Sequence, residues 1–236
     1  MAKKRSKRRI LQPGGSEPRL SRASVGRFSL YLRYLEQFHR EGVQTVSSGR
    51  LGEALGITGD QVRKDLAYLG NLGHPGIGYA AHDLIVALRN KLGINREWKV
   101  AMVGIGNLAR ALLRYRGFQE QGFRIVCLFD ADQSKVGQEL EGLPVHPPEA
   151  MPAVVAASRA ELGLLTVPSE AAQGVADALV AAGIRGLLNF APVVVRVPAG
   201  ISLVDVDLAV QLEQLAFLVH LVGKNEQASG RVFPPH

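Results

Sequence analysis

One cysteine, Cys127, stands among 236 residues, so the chain can build neither a disulfide framework nor a thiolate metal site. Cys127 lies inside an apolar run, where its expected role is that of a small buried hydrophobe. The six histidines are scattered, with no pair at ligand spacing on one helix, and no metal site is expected. No apolar stretch approaches the roughly 20 residues of a membrane-spanning helix. The polybasic start is followed by no apolar segment of the signal-peptide kind. A cytoplasmic protein with neither a membrane nor a metal among its partners is therefore expected. Residues 160–205 contain no His and no Lys, which removes the commonest general acids and bases from that stretch.

Basic charge, by contrast, is abundant and unevenly placed. Residues 1–97 carry 17 Lys and Arg against 8 Asp and Glu, whereas residues 98–236 carry 11 against 13. A basic first part joined to a near-neutral second suggests that only the first binds a polyanion. The densest run, Lys3-Lys-Arg-Ser-Lys-Arg-Arg9, precedes Pro13-Gly-Gly-Ser16 and reads as a disordered basic arm over residues 1–24, either solubilising or phosphate-contacting.

Residues 25–97 read as a small helical domain. Phe28, Leu32, Leu35 and Phe38, with Tyr31 beside them, recur at helical spacing, and Gly42 closes that helix. Ser47-Ser48 supplies an N-cap for a second helix with Leu51, Ala54 and Leu55 on one face. After Ile57-Thr58-Gly59, a third helix over Asp60–Leu69 places Val62, Leu66 and Leu69 inward and leaves Gln61, Arg63, Lys64 and Tyr68 outward. This is a helix-turn-helix pattern with its polar face at the start of the second helix. Gly73-His-Pro-Gly-Ile-Gly-Tyr79 reads as a glycine-rich hairpin, and Leu84, Leu88 and Leu92 as a fourth helix, together a winged helix.

The second half opens on Val100-Ala-Met-Val-Gly-Ile-Gly-Asn-Leu-Ala109. Val100–Val103 suits a strand buried on both faces. Gly104 permits the tight turn after it, and Gly106 presents no side chain where a pyrophosphate would approach. The helix beginning near Asn107 aims free N–H groups at that pyrophosphate. Asp130 ends the second strand, Phe123–Asp130, where an acid would accept adenosine ribose hydroxyls and repel a 2′-phosphate, favouring NAD(H) over NADP(H). The fold class is α/β: an N-terminal winged helix over 25–97, then a Rossmann-type domain over 98–206. The segment Val206–Val219 is apolar around too much of its circumference for one chain to cover, which argues against a monomer, and a tail follows over 223–236.

Several segments together resemble the Rex family of redox-sensing transcriptional repressors: Val46-Ser-Ser-Gly-Arg-Leu51, Gln61-Val-Arg-Lys-Asp-Leu66, Gly76-Ile-Gly-Tyr79, Val103-Gly-Ile-Gly-Asn-Leu108, Tyr115-Arg-Gly-Phe118, Ala182-Gly-Ile-Arg-Gly186 and Asn189-Phe-Ala-Pro192. The resemblance runs in order from about residue 25 to 220. It implies a homodimer, with the C-terminal dimerisation helix over residues 207–222 exchanged between the subunits, that binds double-stranded operator DNA when NADH is scarce and releases it when NADH binds, with NAD+ competing; with one cysteine in the chain, such sensing uses no thiol pair. It implies DNA contacts from Gln61, Arg63, Lys64 and Tyr68, with Ser47 and Ser48 beside them, and a wing at Gly76, Gly78 and Tyr79. The same resemblance assigns Gly104, Gly106, Asn107, Leu108 and Asp130 to the adenosine and pyrophosphate side. Val167, Pro168, Asn189, Phe190, Ala191 and Pro192 would lie toward the nicotinamide, and Arg33, Tyr115 and Asp207 would form the switch. The wing departs from the family in carrying His74-Pro75 in place of basic residues, so its minor-groove contact is expected to be weaker or to come from the arm. Two other readings stand beside this one: an NAD-dependent oxidoreductase, which the lack of His and Lys over 160–205 disfavours, and a coenzyme A-binding protein, against which Asp130 argues.

Overall fold

The computed structural model describes residues 20–229 and divides into two compact units between Asn95 and Arg96. The basic run Lys3–Arg9 expected as part of the arm lies outside the described residues.

In the first unit, α1 (Arg22–Arg40) begins where the Ser21 hydroxyl accepts the Ser24 N–H at 3.1 Å, so the helix starts inside the segment assigned from sequence to the arm. Its Phe28, Tyr31, Leu32 and Leu35 are buried together; each such side chain contributes about 1.5–3 kcal/mol. β1 (Thr45–Val46) leads into α2 (Ser48–Leu55), capped by Ser47. α3 (Gly59–Leu66) follows, capped by Thr58. The third helix does not run to Leu69: after Leu66 it tightens into a 3₁₀ turn over Ala67–Leu69. β2 (Gly73–His74) and β3 (Gly78–Ala80) form the hairpin, and β3 also pairs with β1, giving the order β1-β3-β2. β1 is too short to show a period, so the sequence did not announce it. Gly78 is required there: its φ is +100°, and a Cβ would stand 2.5 Å from the Val46 carbonyl oxygen. α4 (Ala81–Leu92) closes the core with Ala81, Leu84 and Leu88.

The second unit is a seven-stranded sheet. Its core strands are β4 (Trp98–Val103), β5 (Phe123–Phe129), β7 (Leu143–His146), β8 (Leu162–Leu165), β9 (Gly186–Asn189) and β10 (Ser202–Asp205), and β6 (Glu139–Leu140) is an antiparallel edge on β7. The order β10-β9-β8-β4-β5-β7-β6, read from β7 to β10, is 3-2-1-4-5-6 for the six parallel strands, the Rossmann order. Alternation along β4 divides the core: Ala101 and Val103 pack with Cys127, Phe129 and Leu165 on one face, and Val100 and Met102 with Leu128 and Leu164 on the other. α7 (Met151–Ser158) and α8 (Ser169–Ala181) cover the first face through Met151, Val155, Ala172, Ala176 and Leu179. α5 (Asn107–Leu113) and α6 (Arg116–Glu120) supply Ala109, Leu112 and Phe118 to the second. Cys127 is buried as expected, and burial pushes its thiol pKa up. The last helix, α9 (Leu208–Ser229), continues past Gly223, where the sequence reading had begun a tail. One glycine costs a helix only about 1 kcal/mol, too little to stop a segment that continues Lys-Asn-Glu-Gln-Ala.

Candidate functional site

The chain leaves β4 toward β5 on one side and later returns to β8 on the other, so a crevice opens beyond the carboxyl ends of β4 and β8. Open α/β sheets bind ligands at such a switch point. A cleft of about 780 Å³ lies there, lined by Gly104, Gly106, Asp130, Val167 and Pro168 from the expected set, and also by Ile105, Asp132, Lys135 and Thr166. Gly104 has φ +89°, and a Cβ on it would come within 2.6 Å of Thr166 O and Val167 Cγ1. Among the described residues, none beyond its chain neighbours stands within 4 Å of a Cβ placed on Gly106, so the space before that residue is open to a ligand. Gly106 also begins α5, which no side chain caps, and the first N–H groups of the helix are available to an anion. Thr166 fastens the turn, its Oγ1 lying 2.9 Å from Val103 O and 2.8 Å from Gly104 O. Asn107 and Leu108 stand exposed on the first turn of α5, outside the residues that line the cleft.

Asp130 is nearly buried and heavily engaged. Its Oδ2 accepts the Ile105 N–H at 2.6 Å and Lys135 Nζ at 3.0 Å, and its Oδ1 accepts the Asp132 N–H at 2.8 Å. Burial would raise its pKa, but the Asp132 N–H, Lys135 and the Ile105 N–H outweigh burial and hold the carboxyl below the usual carboxylate range. Asp130 thus braces the glycine turn and keeps room for about one further hydrogen bond on Oδ1. Asp132 lies on the same wall with its side chain 48% exposed; Ser134 hydrogen bonds and Lys135 lower its pKa. Lys135 and Asp132 lie outside the dinucleotide fingerprint, although Asp130-Ala-Asp-Gln-Ser-Lys135 places an acid and a base on one turn just after a strand.

Asn189 is fully buried, and its amide ties the loop that follows β9 to the end of β10. Nδ2 donates to Ala191 O, Val193 O and Asp205 Oδ1 at 2.9–3.1 Å, and Oδ1 accepts the Ala191 N–H at 2.9 Å. It shapes the Phe190-Ala-Pro192 loop, and none of these four residues lines the cleft. Of the switch candidates, Arg33 is exposed on α1 of the first unit. In the second unit, Tyr115 is 51% exposed with its ring edge-on to Phe118. Asp207 caps α9, its Oδ1 accepting the N–H groups of Ala209 and Val210 at 2.9 and 3.2 Å.

In the first unit, the start of α3 is the candidate nucleic-acid face. Arg63 and Lys64 are exposed, and Tyr68 is 42% exposed. Arg63 Nη1 donates to Ser48 Oγ at 2.7 Å and its Nη2 pairs with Asp60, so its guanidinium is held over the turn between the two helices. Ser47 accepts the Arg50 N–H in capping α2. Gly76 shapes the hairpin turn, where His74 O accepts the Ile77 N–H, and Tyr79 is half-buried in β3 with Gly73 against its ring. Beneath this face lies a residue the sequence reading did not single out. Asp65 is 2% exposed; its Oδ2 accepts Arg27 Nε at 2.5 Å and Tyr31 Oη at 2.7 Å, while its Oδ1 accepts Arg27 Nη2 at 2.8 Å and Gln61 Nε2 at 3.1 Å. The signal was present: Asp65 falls three residues after Val62, on the inward stripe of an otherwise apolar face.

Known proteins place both units. Residues 19–67 match a family model described as the N-terminus of putative DNA-binding proteins, and residues 95–193 match a coenzyme A-binding domain. The chain is 47% identical over 206 residues to the redox-sensing transcriptional repressor Rex of Pelotomaculum thermopropionicum, spanning 87% of this chain and 96% of that protein. It is 38% identical over 227 residues to the Rex of Streptomyces coelicolor, spanning 96% and 88%. Among solved structures, it is similar to the Rex-family repressor RSP in complex with NAD+ and operator DNA, with TM-score 0.82, 30% identity, and 92% and 100% of the two chains covered. The same repressor in complex with NADH gives TM-score 0.79 at 30% identity, over 89% and 98%.

Proposed function

The chain belongs to the Rex family of redox-sensing transcriptional repressors, and from that premise we propose that its winged first unit binds operator DNA while NADH is scarce and that NADH in the second unit's cleft releases it. One observation carries this reading: similarity spans both units of a single chain, to a repressor solved with NAD+ and operator DNA and again with NADH. The cleft suits a dinucleotide. The glycine turn and the start of α5 would take the pyrophosphate, and the acidic wall of Asp130 and Asp132 would meet the adenosine ribose and disfavour a 2′-phosphate. The coenzyme A reading has its counterpart in the domain model matched over residues 95–193, and this acidic wall again favours the dinucleotide. The protein is a regulator in which the nucleotide is a signal, not an enzyme.

Reduced and oxidised nicotinamide differ by a neutral puckered ring against a flat cation, a difference that a tyrosine hydroxyl or a carboxylate can convert into unequal affinity. Tyr115 and Asp207, with Arg33 of the DNA-binding unit, are the residues through which nucleotide occupancy would reach DNA affinity. A cytoplasmic homodimer completes the proposal. α9 exposes Leu208, Leu212, Leu215, Phe217, Leu218 and Val219, an apolar surface that a second copy would cover. No helix among the described residues is long and apolar enough to cross a membrane. Fluorescence anisotropy of a labelled regulated-promoter duplex tests the reading: NADH should displace the protein, and undiminished binding at saturating NADH would reject it.

A further inference from the structure

Thr58-Gly-Asp-Gln61 has the form of a capping box, and half of that box is made: Thr58 Oγ1 accepts the Gln61 N–H at 3.2 Å. The other half is absent, because the Gln61 side chain turns forward and donates Nε2 to Asp65 Oδ1. Asp65 is a carboxylate gripped by Arg27 and Tyr31, with its pKa lowered because those hydrogen bonds outweigh its burial; an ionised carboxylate only accepts. The orientation of the Gln61 amide is therefore fixed by its neighbour: nitrogen toward Asp65, with Oε1 and the second N–H left over. An acceptor and a donor at the end of one planar amide match the N6 donor and N7 acceptor of adenine in the major groove. Gln61 stands in the first turn of the helix that enters that groove in helix-turn-helix proteins.

We infer that Gln61 reads an adenine in the operator half-site and that Asp65, through its hydrogen bond to the Gln61 amide, is the positioning residue that sets this preference. The inference rests on the repressor reading and deepens it by assigning one base. Arg27 and Tyr31 serve the same end, since they hold the Asp65 carboxylate in place from α1. Asp65→Asn would present an N–H toward Gln61, turn the amide over and exchange its donor and acceptor at the groove.

The test uses the full-length protein and the tightest-binding duplex selected from a randomised library, with each adenine replaced in turn by 7-deazaadenine, which lacks the N7 acceptor. In the wild-type protein, one adenine per half-site should lose about ten-fold in affinity on replacement, and Gln61→Ala should abolish that loss while leaving the effects at other positions unchanged. Asp65→Asn should abolish it too, although Gln61 is intact; a role confined to stability would weaken binding to all duplexes alike. If Asp65→Asn does not fold, Gln61→Asn serves instead, since its amide is one methylene too short to meet Asp65 and a base together. Sensitivity that survives Gln61→Ala would overturn the adenine assignment. Sensitivity that survives in Asp65→Asn, or in Gln61→Asn, would overturn the positioning role. Failure to select any duplex would overturn the repressor reading itself, a distinct result.

Discussion

Gly117 leaves the space that the Tyr115 ring fills: a Cβ on Gly117 would stand 2.5 Å from Tyr115 Cζ and Oη. The ring lies back over its own helix, edge-on to Phe118 with centroids 5.2 Å apart, and its position depends on a missing side chain two residues on.

Gly117→Ala should therefore displace Tyr115 without unfolding the sheet, since alanine favours the helix by up to about 1 kcal/mol. Operator binding without nucleotide is expected to stay near wild type, and the NADH concentration for half-release to rise several-fold. An unchanged release curve would separate Tyr115 from the switch.

Gly104 and Gly106 should respond differently to alanine. At Gly104 the positive φ and the contact with Thr166 O predict a fold destabilised by about 1–3 kcal/mol together with lost nucleotide binding. At Gly106 no described residue beyond its chain neighbours opposes a Cβ, so the melting temperature should hold while NADH affinity falls at least ten-fold. Intact NADH binding in Gly106→Ala would show that the pyrophosphate does not pass there.

The Asp65 network has a pH signature. Its folded pKa lies below the ordinary carboxylate value, so its stabilisation is complete above the unfolded value near ~3.9 and disappears as pH falls through the lower folded value. Urea midpoints of the first unit should thus differ most between wild type and Asp65→Asn at neutral pH and converge in the acid range below about pH 4. Asp65→Ala, which leaves Arg27 without its partner while that side chain is 26% exposed, should cost about 3 kcal/mol at pH 7.

Arg63→Ala should weaken operator binding about ten-fold or more and leave NADH affinity intact, because Arg63 belongs to the DNA-binding unit alone. Binding measured across a salt series separates its contacts: a base contact lowers the affinity at each salt concentration alike, whereas a phosphate contact also flattens the salt dependence by about one ion. Joint loss of DNA and NADH binding would indicate misfolding.

Much of this molecule could be read from its sequence because its elements carry strong local signals. The period of Phe28, Leu32 and Leu35, the glycine turn after Val103 and the glycine-rich hairpin each specify an element without help from the rest of the chain. The remainder depends on contacts between distant residues. Asp65 is matched by Arg27, 38 residues away, and β1 exists only because β3 pairs with it. Asp130 is expected at a ligand from its position at a strand end and Asn189 from the family resemblance, and sequence alone does not reveal how many of their polar groups bind the protein itself. α9 runs on to Ser229, beyond the 207–222 expected from its apolar stretch, because the polar residues that follow carry no periodic signal although they are compatible with a helix.

Whether this chain converts the balance of reduced and oxidised nucleotide into DNA occupancy is decided by holding total NADH plus NAD+ constant and varying their ratio at one salt concentration, with operator occupancy read by anisotropy. Occupancy should fall as the ratio rises, with the midpoint ratio nearly unchanged when the saturating total is doubled, as competition for one cleft requires. Occupancy that ignored the ratio, or followed only the total, would rule out redox sensing by this chain.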